Sequence, residues 1–195
     1  VKNNLQVVSS LLELQSRGIE DEKALSTFME GQNRVKAMAL IHQKLYQHEN
    51  LATIDFQEYA QNLMSELAAI YPSASSVKTN VKSSGNTRFD IDTAIPLGLI
   101  LNELISNAYK YAFNDLEEGK LDVEIDEIGS GKYQLKVTDN GGGLPETLDL
   151  GKVKSLGLKL VRRLSKQLYG DVAYNTEQGA IFVINFTDTL HRRLT

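Results

Sequence analysis

Apolar residues recur at three- and four-residue steps through VKNNLQVVSSLLELQ, where Leu5, Val8 and Leu12 form one row and Val7, Leu11 and Leu14 an offset one. The pattern predicts an amphipathic helix over residues 1 to about 16, with Arg17-Gly18 as its break. No Ser, Thr, Asp or Asn stands before it as a cap, and no secretory leader pattern is present, so the helix reads as cut at its first turn. Leu25, Phe28, Met29, Val35, Met38, Ile41 and Leu45 keep the same step and predict a second, long helix from about Asp21 to His48. Two such helices joined by a short turn make an antiparallel hairpin that cannot cover both of its stripes. Either the hairpin packs on the rest of the chain or two copies build a four-helix bundle, and the length of the second helix favours the bundle.

The pattern changes after Asn50, which divides the chain into a hairpin, 1–50, and a second domain, 51–195. Phe56, Tyr59, Leu63, Leu67 and Ile70 predict a helix from Ile54 to Tyr71, ended by Pro72 and the Ser-rich loop PSASS. Then the period becomes two. VKTNVKSS, LDVEIDE and KYQLKVT alternate apolar and polar residues, and AIFVINFT is a continuous apolar run. These are strands, the last expected to be the most buried. Helices are predicted from Ile91 to Phe113 and from Leu156 to Tyr169. The resulting order of elements predicts an α+β fold with helices on one face of a mixed sheet.

Composition narrows the function classes. Of 195 residues 42% are hydrophobic and 24% charged, and no apolar run approaches the ~18 residues that span a bilayer. A net charge of −4 offers no basic field for nucleic acid. With no Cys and three His at 42, 48 and 191, thiol chemistry and a His-based zinc site are excluded.

Three stretches can carry chemistry. In LILNELISNAYKYAF, helical spacing places Glu103, Asn107, Lys110 and Tyr111 on one face. That stripe is either a solvated charged face or a set in which the Asn107 carbonyl is offered to Mg²⁺, a hard ion that takes few protein ligands. DNGGGLP follows a strand directly, so Asp139 sits at a strand end before three Gly. It is either a turn or a place where backbone approaches a ligand and Asp139 accepts from an exocyclic amine. SLGLKLV opens a helix, where Gly157 and its neighbours present unpaired amides, an anion site or simply packing.

The ordered set resembles the GHKL-type ATP-binding domain, of Bergerat α/β sandwich fold, shared by sensor histidine kinases, type II topoisomerases, a class of chaperones and the MutL repair proteins. NELISNAYKY is similar to its N box, DNGGGLP to its first glycine box and SLGLKLV to its second. VKNNLQVVSSLLELQ with RVKAMALIHQKLYQHENLATIDFQEY resembles the dimerisation and phosphotransfer hairpin of a histidine kinase subfamily close to the HWE kinases. The resemblance implies an ATP- and Mg²⁺-dependent kinase that phosphorylates a His and passes the phosphoryl group to an Asp of a response regulator receiver domain. It also implies a homodimer formed through residues 1–48, in the cytoplasm, with any membrane anchor supplied by upstream segments.

Residue by residue, Asn107 matches the Mg²⁺-binding Asn and Lys110 the basic position facing the phosphates. Tyr111 falls beside them. Asp139 matches the adenine-reading Asp, Gly141 and Gly143 the residues shaping the pocket, and Ser155, Leu156, Gly157 and Leu158 the phosphate-side box, with Ser155 standing where many relatives have Gly. Glu103 matches the acidic position that in a kinase polarises the incoming imidazole. PETLDLGKVK, after Leu144, is expected to be a short lid in which Lys152 or Lys154 reaches a phosphate or stays solvated, and no separate F box is seen. The acceptor belongs to a His-Arg-Val-Lys-Asn-Asn signature, which places it two residues before Val1. His42, His48 and His191 do not match it. The competing expectations are a degenerate or regulatory ATP-binding module or phosphatase, and an ATPase of the same fold.

Overall fold

The computed structural model describes residues 2–47, 53–114, 116–143, 155–176 and 179–189. The hairpin is present as two helices, α1 (Lys2–Ser16) and α2 (Glu22–Gln47), packed along each other. Asp21 caps α2, its Oδ1 accepting from the Ala24 N–H at 2.6 Å. Val7, Val8, Leu11 and Leu14 of α1 remain exposed. Ala37, Leu40 and Ile41 of α2 are instead buried, in the same apolar core as the C-terminal half. The second helix therefore finds a partner within its own chain, and α1 keeps an uncovered stripe.

A two-residue strand β1 (Ile54–Asp55) leads into α3 (Phe56–Ala68), followed by a 3-10 turn (Pro72–Ser76), β2 (Val77–Ser84), β3 (Arg88–Phe89) and α4 (Ile91–Asn107). Asp55 and Asp90 cap α3 and α4 by accepting from Glu58 N–H and Thr93 N–H, at 3.1 and 3.0 Å. β1 and β3 form a small antiparallel ribbon with Ile54 opposite Phe89. This ribbon takes the first residues of the helix expected from Ile54. After α4 comes a π-helical segment (Ala108–Ala112), then β4 (Gly119–Gly129), β5 (Lys132–Asp139), α5 (Leu156–Gln167), β6 (Asp171–Asn175) and β7 (Ile181–Thr187). α5 ends two residues early, since Tyr169 takes a left-handed φ of 55°.

The five-stranded sheet runs β2-β4-β5-β7-β6. β2 lies parallel to β4 and the other pairs are antiparallel, so the sheet is mixed as expected. α3, α4 and α5 cover one face, burying Leu121, Val123, Ile125, Leu135, Val137, Phe182, Ile184 and Phe186. Each fully buried side chain of this size contributes about 1.5–3 kcal/mol by leaving water. β7 was expected to be the most buried strand, yet its burial alternates, with Ile181 and Val183 only half-buried. They lie on the sheet face without helices, where apolar residues need only cross-strand neighbours. No helix among the described residues is long and apolar enough to cross a membrane.

Candidate functional site

Glu103 lies near the C-terminal end of α4 and is buried. Of the stripe read from the sequence, Glu103 and Lys110 are thus not on a solvated face but turned toward α2. Arg34 of α2 meets the carboxylate as a fork, Nε donating to Oε1 at 2.6 Å and Nη2 to Oε2 at 3.0 Å, the two-point geometry that suits guanidinium and carboxylate. Arg34 also lies 3.5 Å from Glu30 Oε2, one turn earlier on α2. Lys110 completes the chain of charges, its Nζ 2.5 Å from Glu30 Oε1. The hydrogen bond it donates to Glu103 is the largest cause holding the Arg34 guanidinium above its usual pKa, against the opposing effect of burial.

The helix expected to run regularly to Phe113 changes form at Asn107, its last α-helical residue, which is half-buried. The π segment that follows closes each turn over one more residue than an α-helix. Lys110 stays on the α2 side, whereas Tyr111 is 68% exposed. The expectation that Tyr111 shares the face of Glu103 fails for this reason: α-helical spacing does not hold across residues 108–112.

Asp139 ends β5 and is buried. Its Oδ1 accepts from Gly141 N–H at 2.9 Å and from Ala180 N–H at 3.2 Å. Burial pushes its carboxyl above the usual carboxylate range, only partly offset by those two donors. Asn140 braces the same corner, accepting from Lys120 N–H at 2.7 Å and donating to the Glu118 carbonyl at 3.2 Å. Gly141 then passes so close to the π segment that a Cβ there would fall 2.4 Å from the Ala112 carbonyl oxygen, so only glycine fits. Gly143 follows with φ 71°.

At the start of α5, a Cβ on Gly157 would sit 2.5 Å from Glu103 Oε2. Ser155 and Leu156 are exposed, whereas Leu158 is buried and belongs to the core. Leu158 therefore anchors the helix, and the exposed first turn carries the backbone N–H groups that no helical carbonyl can satisfy. The two glycine segments, far apart in the chain, thus both abut the end of α4 and its π extension. The expected lid, Leu144 to Lys154 with Lys152 and Lys154, lies outside the described residues, as do His48 and His191. His42 is half-buried on α2 with its Nδ1 unpartnered, and desolvation lowers its pKa.

Sequence reasoning missed Glu30 and Arg34. Their signal was an i, i+4 acid-base pair beside the apolar stripe of α2, a pattern too common on solvated helices to stand out. It also missed a polar spot between α2 and α4, where Asn33 Oδ1 and Asn102 Oδ1 are buried without partners beside one cavity.

Comparison with known proteins agrees with this layout. Residues 1–71 match the model of a family described as histidine kinase. Residues 92–190 match that of the histidine kinase-, DNA gyrase B-, and HSP90-like ATPases. The chain is 33% identical over 168 residues to the sensor histidine kinase PdtaS of Mycolicibacterium smegmatis, covering 84% of this chain and 32% of that protein. It is 26% identical over 203 residues to blue-light-activated histidine kinase 2 of Erythrobacter litoralis, covering 100% of this chain and 56% of that protein. The chain thus spans about a third of the first relative's length and about half of the second's. The solved histidine kinase domain of a blue-light activated kinase from Erythrobacter litoralis superposes with a TM-score of 0.73 at 26% identity, over 100% of this chain and 90% of that one.

Proposed function

The chain belongs to the histidine kinases, its C-terminal half to the histidine kinase-, DNA gyrase B-, and HSP90-like ATPase family, and from that premise we propose that it is a sensor kinase core acting in the cytoplasm. In this reading it binds ATP with Mg²⁺, directs the γ-phosphoryl group to a His two residues upstream of Val1, and from there to an Asp of a response regulator. The observation that carries the reading is the convergence of both glycine segments on the end of α4, Gly141 against Ala112 and Gly157 against Glu103.

The residues present fit the group. Mg²⁺ is suited by one protein amide oxygen plus phosphate and water oxygens. Asn107 would supply that oxygen. When bound, ATP brings the transferable phosphoryl group and Mg²⁺ the charge that offsets its oxygens. Asp139 accepts from the exocyclic amine of adenine and excludes a carbonyl at the same place. Gly141 and Gly143 keep side chains out of the base's path, and the first-turn amides of Ser155, Leu156 and Gly157 face anionic oxygens with Lys110. Glu103 accepts a hydrogen bond from one N–H of the incoming imidazole, which raises the basicity of its other nitrogen.

The division near residue 50 into hairpin and ATP-binding domain belongs to this proposal and is supported by the end of α2 at Gln47 and the start of β1 at Ile54. So does a homodimer through the hairpin, supported by the exposed Val7, Val8, Leu11 and Leu14. The test is labelling with γ-labelled ATP of this chain and of one extended upstream through the His-Arg-Val signature. Acid-labile label is expected on the extended chain alone. Strong acid-labile labelling of the shorter chain refutes the placement of the acceptor, and failure of Asn107→Asp to abolish labelling of the longer one refutes the site.

A further inference from the structure

Glu30 and Arg34 stand one turn apart on α2 and together engage both charged groups of the proposed site. Arg34 occupies both oxygens of Glu103, and Glu30 occupies the ammonium of Lys110. The partners are 69 and 80 residues apart in sequence, so each pair ties the hairpin to the ATP-binding domain. A carboxylate whose two oxygens both accept from a guanidinium has its charge offset and its inner lone pairs taken, which weakens it as an acceptor for an imidazole N–H. An ammonium paired with a carboxylate likewise has its charge offset and one of its three donors taken, which weakens its pull on a phosphate. The surrounding interface is incompletely closed, because Asn33 Oδ1 of α2 and Asn102 Oδ1 of α4 are unpartnered beside a shared cavity, and each is a cost that separation of the helices and entry of water relieve.

We propose that Glu30 and Arg34 form an internal counter-ion latch, in which Glu30 competes with nucleotide phosphates for Lys110 while Arg34 withholds Glu103. The proposal rests on the roles given above to Lys110 and Glu103. A triphosphate carries more negative charge than one carboxylate, so its arrival takes Lys110 and leaves Glu30 beside like charge. Glu30 is then repelled, and α2, to which Arg34 is attached, loses one of its two ties. By linkage, whatever Glu30 takes from triphosphate affinity the triphosphate takes from the docking of α2. The latch keeps Glu103 neutralised by Arg34 until nucleotide is in place.

Isothermal titration of wild type and Glu30→Gln with Mg-ATP and, separately, with adenosine tests this. Gln keeps the size of Glu and loses its charge. Mg-ATP is expected to bind the variant about 5- to 20-fold more tightly, a usual size for coupling between sites, while adenosine, which has no phosphate, binds both proteins equally. Hydrogen exchange in α2 of wild type should rise with Mg-ATP and not with adenosine. Equal Mg-ATP affinities in the two proteins, or an equal gain for adenosine, overturn the latch alone. A wild type that binds neither ligand overturns the nucleotide site and the latch with it.

Discussion

Replacing Arg34 with Met keeps most of the aliphatic stem and removes the guanidinium, stranding the Glu103 carboxylate in an interface where its side chain is 7% exposed. The Asn102 amide at 3.4 Å is a long contact and a weak substitute. Removing one member of a buried pair costs about 3–5 kcal/mol, and because the Arg34 end is 15% exposed to water the low end, about 3 kcal/mol, is expected for Arg34→Met. Glu103→Gln leaves the guanidinium with Glu30 at 3.5 Å, so about 1.5 kcal/mol is expected. In the double variant no charge is stranded, and the cost falls to about 2 kcal/mol, chiefly imperfect packing. The coupling energy is then about 2.5 kcal/mol, within the usual range for contacting residues. Urea unfolding followed by far-ultraviolet circular dichroism and by the fluorescence of the eight tyrosines, in a chain with no Trp, gives the midpoints and slopes, and coincident transitions validate the two-state treatment. If the single costs add to the double within about 0.5 kcal/mol, the fork between Arg34 and Glu103 is not holding α2 to α4.

Two further predictions concern Asp139 and α1. The Asp139 carboxyl is raised by burial, so between its unfolded and folded pKa the native state binds more protons than the unfolded one, stability falls as pH rises through that window, and the full penalty stands above it. Asn keeps an acceptor for Gly141 and Ala180, so Asp139→Asn should gain Tm over wild type at pH ~8 and lose that gain toward pH ~4, near the unfolded value; a gain that grows on acidification in thermal scans refutes this. Leu11→Glu combined with Leu14→Glu places charge in the exposed stripe of α1 and should convert a dimer into a monomer by size-exclusion chromatography with light scattering, whereas a monomeric wild type refutes the dimer.

The sequence was most readable where one local signal decided the outcome. Period-two alternation located VKTNVKSS as β2 with both ends right, and the run from Glu22 to Gln47 followed its apolar step. It was least readable where two distant segments decide jointly. The β1–β3 ribbon depends on Ile54 meeting Phe89, and neither dipeptide carries a strand signal alone. The π segment at AYKYA has no periodic signature, and its last residue, Ala112, lies under the close pass of Gly141 from a distant part of the chain. Around the candidate site, the strand-end place of Asp139 and the close approaches at Gly141 and Gly157 were legible, because backbone chemistry restricts the residues allowed there. Glu30 and Arg34 were not, because their meaning lies in Glu103 and Lys110, far away in the chain.

The π segment also bears on transplantation of this site. Ala108–Ala112 acts as an offset in the helical count, so positions before and after Asn107 obey two different rulers. A chimera that joins α4 to a relative's continuation through an unbroken α-helix advances the downstream side chains by about 100°, the turn of one residue. Lys110 would then swing away from Glu30 although no charged residue had been replaced.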